Sequence, residues 1–214
     1  MREKILYGFG DSLVEGHCIG VGMLDALAKK HGLRYEKYAR NGASVIPMEG
    51  RPSIIRQIEE ASTAMPDLIC FNGLTNDSYH STPQQLGQLS DSYAGEYDTA
   101  TFCGAFERIC FLLRQKYPDS LIFFVASHKV PGVDMDFQKT LQGAARTVCV
   151  KWSIPVIDVF RRGQINTCVE EMREKYSYDT ADCLTGGSGT HLNAEGYAKW
   201  YLPMIEAAVK PYLR

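Results

Sequence analysis

Two residues near opposite ends of the chain have the types that acyl transfer needs, Ser12 and His191. A serine hydroxyl is a weak nucleophile until a base takes its proton and donors hold the oxyanion that forms. Ser12 follows a short apolar run, Ile5-Leu6-Tyr7, whose pattern Gly8 and Gly10 break. It therefore falls where a first strand hands over to a loop and helix, the edge at which open α/β sheets bind ligands. The other histidines have other settings. His31 sits among lysines at a helix end, His17 lies close behind Ser12, and His80 lies in a polar stretch. His128 follows the fourth strand at the same edge and is a candidate substrate contact. His191 stands in a glycine-rich loop, Gly186-Gly187-Ser188-Gly189-Thr190, directly before a helix that would anchor it.

The elements that must position these groups alternate in kind. Strands are predicted at Ile5–Tyr7, Tyr35–Ala39, Asp67–Phe71, Leu121–Val125 and Ile154–Val159. Helices are expected from Val21 to His31, Arg51 to Ala61, Phe106 to Tyr117, Phe137 to Trp152 and Ile165 to Tyr176. Asn193 has the side chain to cap a last helix, which Pro203 should bend. Near-continuous apolar strands such as Leu121-Ile122-Phe123-Phe124-Val125 are the kind buried on both faces, so the pattern predicts a parallel sheet covered by helices. The polar stretch Ser78–Asp98 reads as a long loop or lid beside the site, in which Tyr79, Tyr93 and Tyr97 either pack the loop down or contact substrate. With no repeat or linker, residues 1–214 read as a single domain.

Composition narrows the classes. The chain is 45% hydrophobic and 22% charged with a formal charge of −2, an ordinary globular balance that gives no electrostatic reason to expect nucleic acid as partner. No run approaches the ~18 apolar residues of a membrane span, and Met1-Arg2-Glu3-Lys4 does not begin a signal-peptide pattern. Seven scattered cysteines, several in apolar runs, suggest free thiols in a reducing cytoplasm. Rival motifs fail on single residues: Leu13 stands where a dinucleotide-binding G-x-G-x-x-G needs its third glycine, and Val14 where the G-x-S-x-G elbow needs its last. No metal-ligand spacing is present, and no metal or cofactor is expected.

Together these segments resemble the SGNH hydrolases, also called the GDSL esterase/lipase family. Gly10-Asp11-Ser12-Leu13 matches the first block of that family, Asn41-Gly42-Ala43-Ser44 is similar to the second, Thr75-Asn76-Asp77 to the third, and Gly189-Thr190-His191-Leu192-Asn193 to the last. The resemblance implies a three-layer α/β/α sandwich with a five-stranded parallel sheet of flavodoxin-like type. It implies Ser12 as nucleophile and His191 as base, with an oxyanion hole from the Ser12 and Gly42 N–H groups and the Asn76 amide. Asp77, beside Asn76, either orients its loop or binds substrate.

Two positions depart from the family. Leu74 occupies a usual glycine position in the third block. The triad acid is usually three residues before the histidine, where this chain has Ser188. Three readings stay open: Asp182, or Asp179, reaches His191 from the same loop; a backbone carbonyl orients the imidazole in a Ser–His dyad; or the site is crippled. The expected reaction is hydrolysis of a small ester through an acyl-serine, with acetylated carbohydrate the first candidate and a short-chain lipid ester or thioester next. The rival is a ligand-binding domain that has lost efficient hydrolysis.

Overall fold

The computed structural model describes residues 2–179, 181–183 and 186–213. Five parallel strands form one sheet in the order β2-β1-β3-β4-β5: β1 (Ile5–Phe9), β2 (Arg34–Lys37), β3 (Leu68–Phe71), β4 (Leu121–Ala126) and β5 (Val156–Asp158). The helices are α1 (Ser12–Glu15), α2 (Asp25–His31), α3 (Ile54–Glu60), α4 (Thr75–His80), α5 (Phe102–Lys116), α6 (Met135–Lys151), α7 (Val159–Arg162), α8 (Glu170–Tyr176), α9 (Ala194–Gly196) and α10 (Leu202–Val209). Side chains on successive strand residues point to opposite faces, which divides the core in two. Tyr7, Phe9, Ile69, Phe71, Ile122 and Phe124 pack toward α3, α5 and α6. Leu6, Leu68, Cys70, Phe123 and Val125 pack toward α2 and the C-terminal helix. This is the expected three-layer α/β/α arrangement. In β1 to β3 the register pairs Phe9 with Phe71, so both strands end at one edge.

Polar side chains start the helices. Ser53, Thr101, Asp134 and Asn193 each accept a backbone N–H in the first turn of the helix that follows, satisfying donors that have no partner within the helix. Asp158 caps α7 and pairs with Arg146 at 2.6 Å, which ends β5 at that residue. The C-terminal helix passes from α9 through a π-helical turn, Tyr197–Tyr201, into α10. Pro203 has no N–H to give the preceding turn, and the widened turn directly before it is where the expected irregularity falls.

The stretch 78–98 differs from the expected lid. Its first residues belong to α4, but Ser90 donates to Glu107 on α5, and Lys151 at the end of α6 donates to the carbonyls of Ser90 and Ser92. Tyr93 and Tyr97 lie against Trp152. The end of α6 leads into β5, so these tyrosines lie at the sheet edge opposite Ser12. They pack the loop down.

The cysteines also differ from the seven free thiols expected. Cys18 and Cys183 are joined in a disulfide, Cα atoms 5.8 Å apart, whereas Cys70, Cys103, Cys110 and Cys149 are buried and free. Spacing alone gives no signal for a bridge across 165 residues. Among the described residues no helix is long and apolar enough to cross a membrane.

Candidate active site

The turn that carries Ser12 is fixed from two sides. Gly10 has φ 144°, and a Cβ there would stand 1.9 Å from Asn72 Oδ1, so glycine alone fits. Gln57 grips this glycine, accepting its N–H at 2.9 Å and donating to its carbonyl at 2.8 Å. Asp11 caps α1 by accepting the Leu13 N–H at 2.9 Å. Its carboxylate also accepts from Asn72 Nδ2, while its own N–H donates to Asn72 Oδ1. Burial raises its pKa, a cost that these hydrogen bonds partly offset. Sequence reasoning missed Gln57 and Asn72. Gln57 left one signal, a polar residue among Ile54, Ile55 and Ile58 on the apolar face of α3.

His191 reaches Ser12 from the other end of the chain. Its Nε2 lies 2.8 Å from Ser12 Oγ, and Ser12 is buried. The His191 backbone is tied to the segment after α8: the Tyr178 N–H donates to the His191 carbonyl at 3.1 Å, and the Asn193 N–H donates to the Tyr176 carbonyl at 2.8 Å. The Tyr178 ring stacks on the imidazole at 5.6 Å between centroids. The His17 ring lies 5.2 Å away on a tilted plane. The Tyr178 hydroxyl donates to the His17 carbonyl, and Asn41 Nδ2 donates to His17 Nδ1 at 2.6 Å.

Among the described residues no acid stands behind the imidazole. His191 Nδ1 is buried and has no hydrogen-bond partner among the described residues. Asp182 is exposed and makes no hydrogen bond to Nδ1; Asp179 accepts the Ala181 N–H instead. The Ser188 hydroxyl donates to the Tyr178 carbonyl at 3.3 Å. Thr180, Leu184 and Thr185 of this loop lie outside the described residues. Burial, then the neighbouring His17 and His128, push the His191 pKa down to about 4, so the imidazole is neutral at pH 7.

His128 and Asp77, both candidate substrate contacts, point inward and brace the site instead. His128 is buried. Its Nε2–H donates to the Gly189 carbonyl at 2.9 Å, and its Nδ1 accepts from the Tyr201 hydroxyl at 2.7 Å. Thr167 donates to the same Gly189 carbonyl, so two side chains hold the turn two residues before His191. Burial takes the His128 pKa down to about 4. Asp77 accepts the Val45 N–H at 2.8 Å and the Ile46 N–H at 2.9 Å, with its pKa pushed up to about 6 by burial. It joins the third block to the second. Both side chains are buried and hold backbone groups in this arrangement.

The remaining donors are open. The N–H groups of Ser12 and Gly42 donate to nothing among the described residues. Asn76 Nδ2 donates one hydrogen to the Ala43 carbonyl at 2.9 Å, which fixes the amide and leaves its second hydrogen. Leu74 holds φ 87°, the left-handed conformation that a glycine takes freely, so the chain keeps this path with a strained, buried leucine. Tyr79 closes one rim, its hydroxyl within 2.9 Å of Thr190 Oγ1. Among the described residues no group of three or more His, Cys, Asp or Glu is placed to hold a metal ion.

No curated protein matches the chain. Among solved structures, a protein from Lactobacillus plantarum superposes with TM-score 0.80 at 17% identity, covering 99% of this chain and 98% of that one. A lipase/acylhydrolase from Enterococcus faecalis gives TM-score 0.66 at 15% identity, covering 99% and 97%. A family two carbohydrate esterase from Clostridium thermocellum gives 0.64 at 14%, covering 98% of this chain and 64% of that one. These likenesses show the fold. The profile of the GDSL-like Lipase/Acylhydrolase family matches residues 9–199, nearly the whole length, and the chain belongs to that family.

Proposed function

We propose that the protein hydrolyses small esters through an acyl-serine, using Ser12 and His191 as a dyad. The observation that carries this reading is the 2.8 Å contact between Ser12 Oγ and His191 Nε2, within reach for direct proton transfer. Ser12 Oγ attacks the ester carbonyl as its proton passes to His191 Nε2. The oxyanion is held by the N–H groups of Ser12 and Gly42 and the second hydrogen of the Asn76 amide. Collapse expels the alcohol, which takes the proton from His191. A water then gives its proton to Nε2 and attacks the acyl-serine, releasing the acid and restoring Ser12.

This order requires the proton of the neutral imidazole to start on Nδ1. Leaving a buried N–H without an acceptor costs about 1–3 kcal/mol, so the competent tautomer is disfavoured and turnover is slow beside that of a full triad. Aromatic packing, with Tyr178 on one side and His17 beside the ring, replaces the orienting acid.

The substrate is a short acyl ester of a carbohydrate or similar small alcohol, a reading supported by fold likeness to a carbohydrate esterase. On this reading residues 1–214 act as one domain, and no nucleic acid, membrane or cofactor enters the reaction as written. A cytoplasmic setting rests on the four buried thiols; the Cys18–Cys183 disulfide argues for an oxidising one. Hydrolysis of p-nitrophenyl acetate, butyrate and octanoate by wild type and Ser12→Ala tests the reading. Turnover should be greatest on acetate and absent in the variant. A second reading, a ligand-binding domain with residual activity, is favoured by the unpartnered Nδ1. It gains if wild type and Ser12→Ala are indistinguishable on all three esters.

A further inference from the structure

We infer that the cleft beside the oxyanion loop binds an anionic group of the substrate, through Arg40 and Arg51. The inference rests on the esterase reading for its chemistry, and on the cleft for its charge.

The cleft measures about 570 Å³ and is lined by Tyr38, Arg40, Arg51, Arg56, Gln57 and Glu60, among others. That volume falls in the range of small-molecule sites, roughly 300–1,000 Å³. Its charges do not cancel. Arg56 is paired with Glu60, Nε to Oε1 at 2.6 Å. The guanidinium groups of Arg40 and Arg51 have no hydrogen-bond or ion-pair partner among the described residues. Two forked cations therefore face one cleft without a counterion, the arrangement that planar carboxylate or phosphate groups fit.

Three contacts place this cleft at the catalytic edge. Gln57, in its wall, holds Gly10 through both backbone groups, and the Arg40 N–H donates to the same Gly10 carbonyl at 3.1 Å. Gly10 precedes Ser12 by two residues, at most about 7 Å of chain. A Cβ built on Gly42 would lie 3.9 Å from Arg51 Nη1, so Arg51 borders the oxyanion loop itself. Burial and then the Arg51 charge also lower the pKa of His80, at the end of the helix that carries Asn76. The substrate this cleft asks for is an ester whose alcohol carries an anionic group about one sugar unit from the scissile bond, the acyl end at Ser12 and the charge toward the arginines. Acetylated uronates and acetylated sugar phosphates share that chemistry.

The test compares acetate release from three matched esters: an acetylated methyl glucoside, the corresponding glucuronide and the corresponding 6-phosphate. Wild type, Arg40→Gln, Arg51→Gln and the double variant are measured at about 0.01 M and about 1 M salt, where the screening length falls from about 30 Å to about 3 Å. Wild type should favour an anionic ester over the neutral one by about tenfold or more at low salt, mostly in KM, a size set by a charge-assisted hydrogen bond. The preference should shrink at high salt and approach unity in the double variant. Whether the carboxylate or the phosphate leads identifies the source of the charge.

A wild-type ratio of one, or a preference that survives in the double variant, overturns the inference while leaving ester hydrolysis intact. Calorimetric titration with the unacetylated methyl glucuronide and sugar 6-phosphate reads the cleft without turnover. Binding that the double variant loses supports the cleft even if no ester is hydrolysed, in which case the esterase reading alone fails. No binding of either anion to wild type overturns the inference.

Discussion

The Tyr178 ring lies over the His191 imidazole, their centroids 5.6 Å apart and their planes at 26°, and the Tyr178 hydroxyl is anchored on the His17 carbonyl. In the proposed dyad the stack takes the part that a carboxylate on Nδ1 plays in a Ser-His-Asp triad. It fixes the ring's direction but supplies no charge to the imidazolium.

Removing that stack should slow chemistry without weakening substrate binding. An aromatic pair is worth about 0.5–1.5 kcal/mol beyond its buried area, so Tyr178→Leu should lower kcat by roughly 2- to 10-fold with KM little changed. Tyr178→Phe keeps the stack and loses only the bond to His17, so it should recover most of the rate. Steady-state kinetics on p-nitrophenyl acetate distinguish the two variants. Equal kcat for wild type and Tyr178→Leu would show that the stack orients nothing.

The pH profile follows from the burial of His191. Only the neutral imidazole can accept the Ser12 proton, and its pKa is depressed to about 4 by burial, His17 and His128 in that order. The active form is therefore lost as pH falls through about 4 and is fully present from about pH 5 to 8. A plot of kcat/KM should be flat across that upper range with its acid limb near 4. A limb near 6.5, the ordinary histidine value, would contradict a buried imidazole without a counterion.

Asn76 is held by the Ala43 carbonyl in a way that leaves one amide hydrogen open. If that hydrogen meets the oxyanion, Asn76→Ala should cost about 10²–10³ in kcat, the range for losing one such donor. Full activity in Asn76→Ala would remove it from the oxyanion hole.

The Cys18–Cys183 bridge spans 165 residues of sequence and ties the segment after α1 to the loop before His191. Restricting the unfolded chain over so long a loop is worth about 2–4 kcal/mol in typical cases. Reduction, or Cys18→Ser, should therefore lower Tm by about 5–15 °C. Thermal melts with and without reductant test this, and an unchanged Tm would mean that the two thiols are not joined.

What could be read from the sequence, and what could not, divides along a physical line. The central strands were legible because strands buried on both faces are written as apolar runs, whereas the edge strand β2 is the polar Arg34–Lys37. Ser12 was picked out by the strand it follows and His191 by the helix it precedes. His128 and Asp77 look like site residues by position, yet their side chains turn inward to backbone groups at Gly189, Val45 and Ile46. Long-range bonds of that sort leave no periodicity. Tyr178 and the Cys18–Cys183 bridge were hidden for the same reason, and the course of residues 86–98 is set by Lys151 and Glu107 far along the chain. Ser188 at the usual acid position left three readings open, and only the structure showed an Nδ1 without an acceptor among the described residues.

The acyl-serine itself is read by peptide mapping of enzyme quenched in acid moments after mixing with p-nitrophenyl acetate. Wild type should carry an acetyl group on Ser12 and Ser12→Ala none, together with loss of p-nitrophenol release in that variant. An unmodified Ser12, with p-nitrophenol released equally fast by Ser12→Ala, would contradict it.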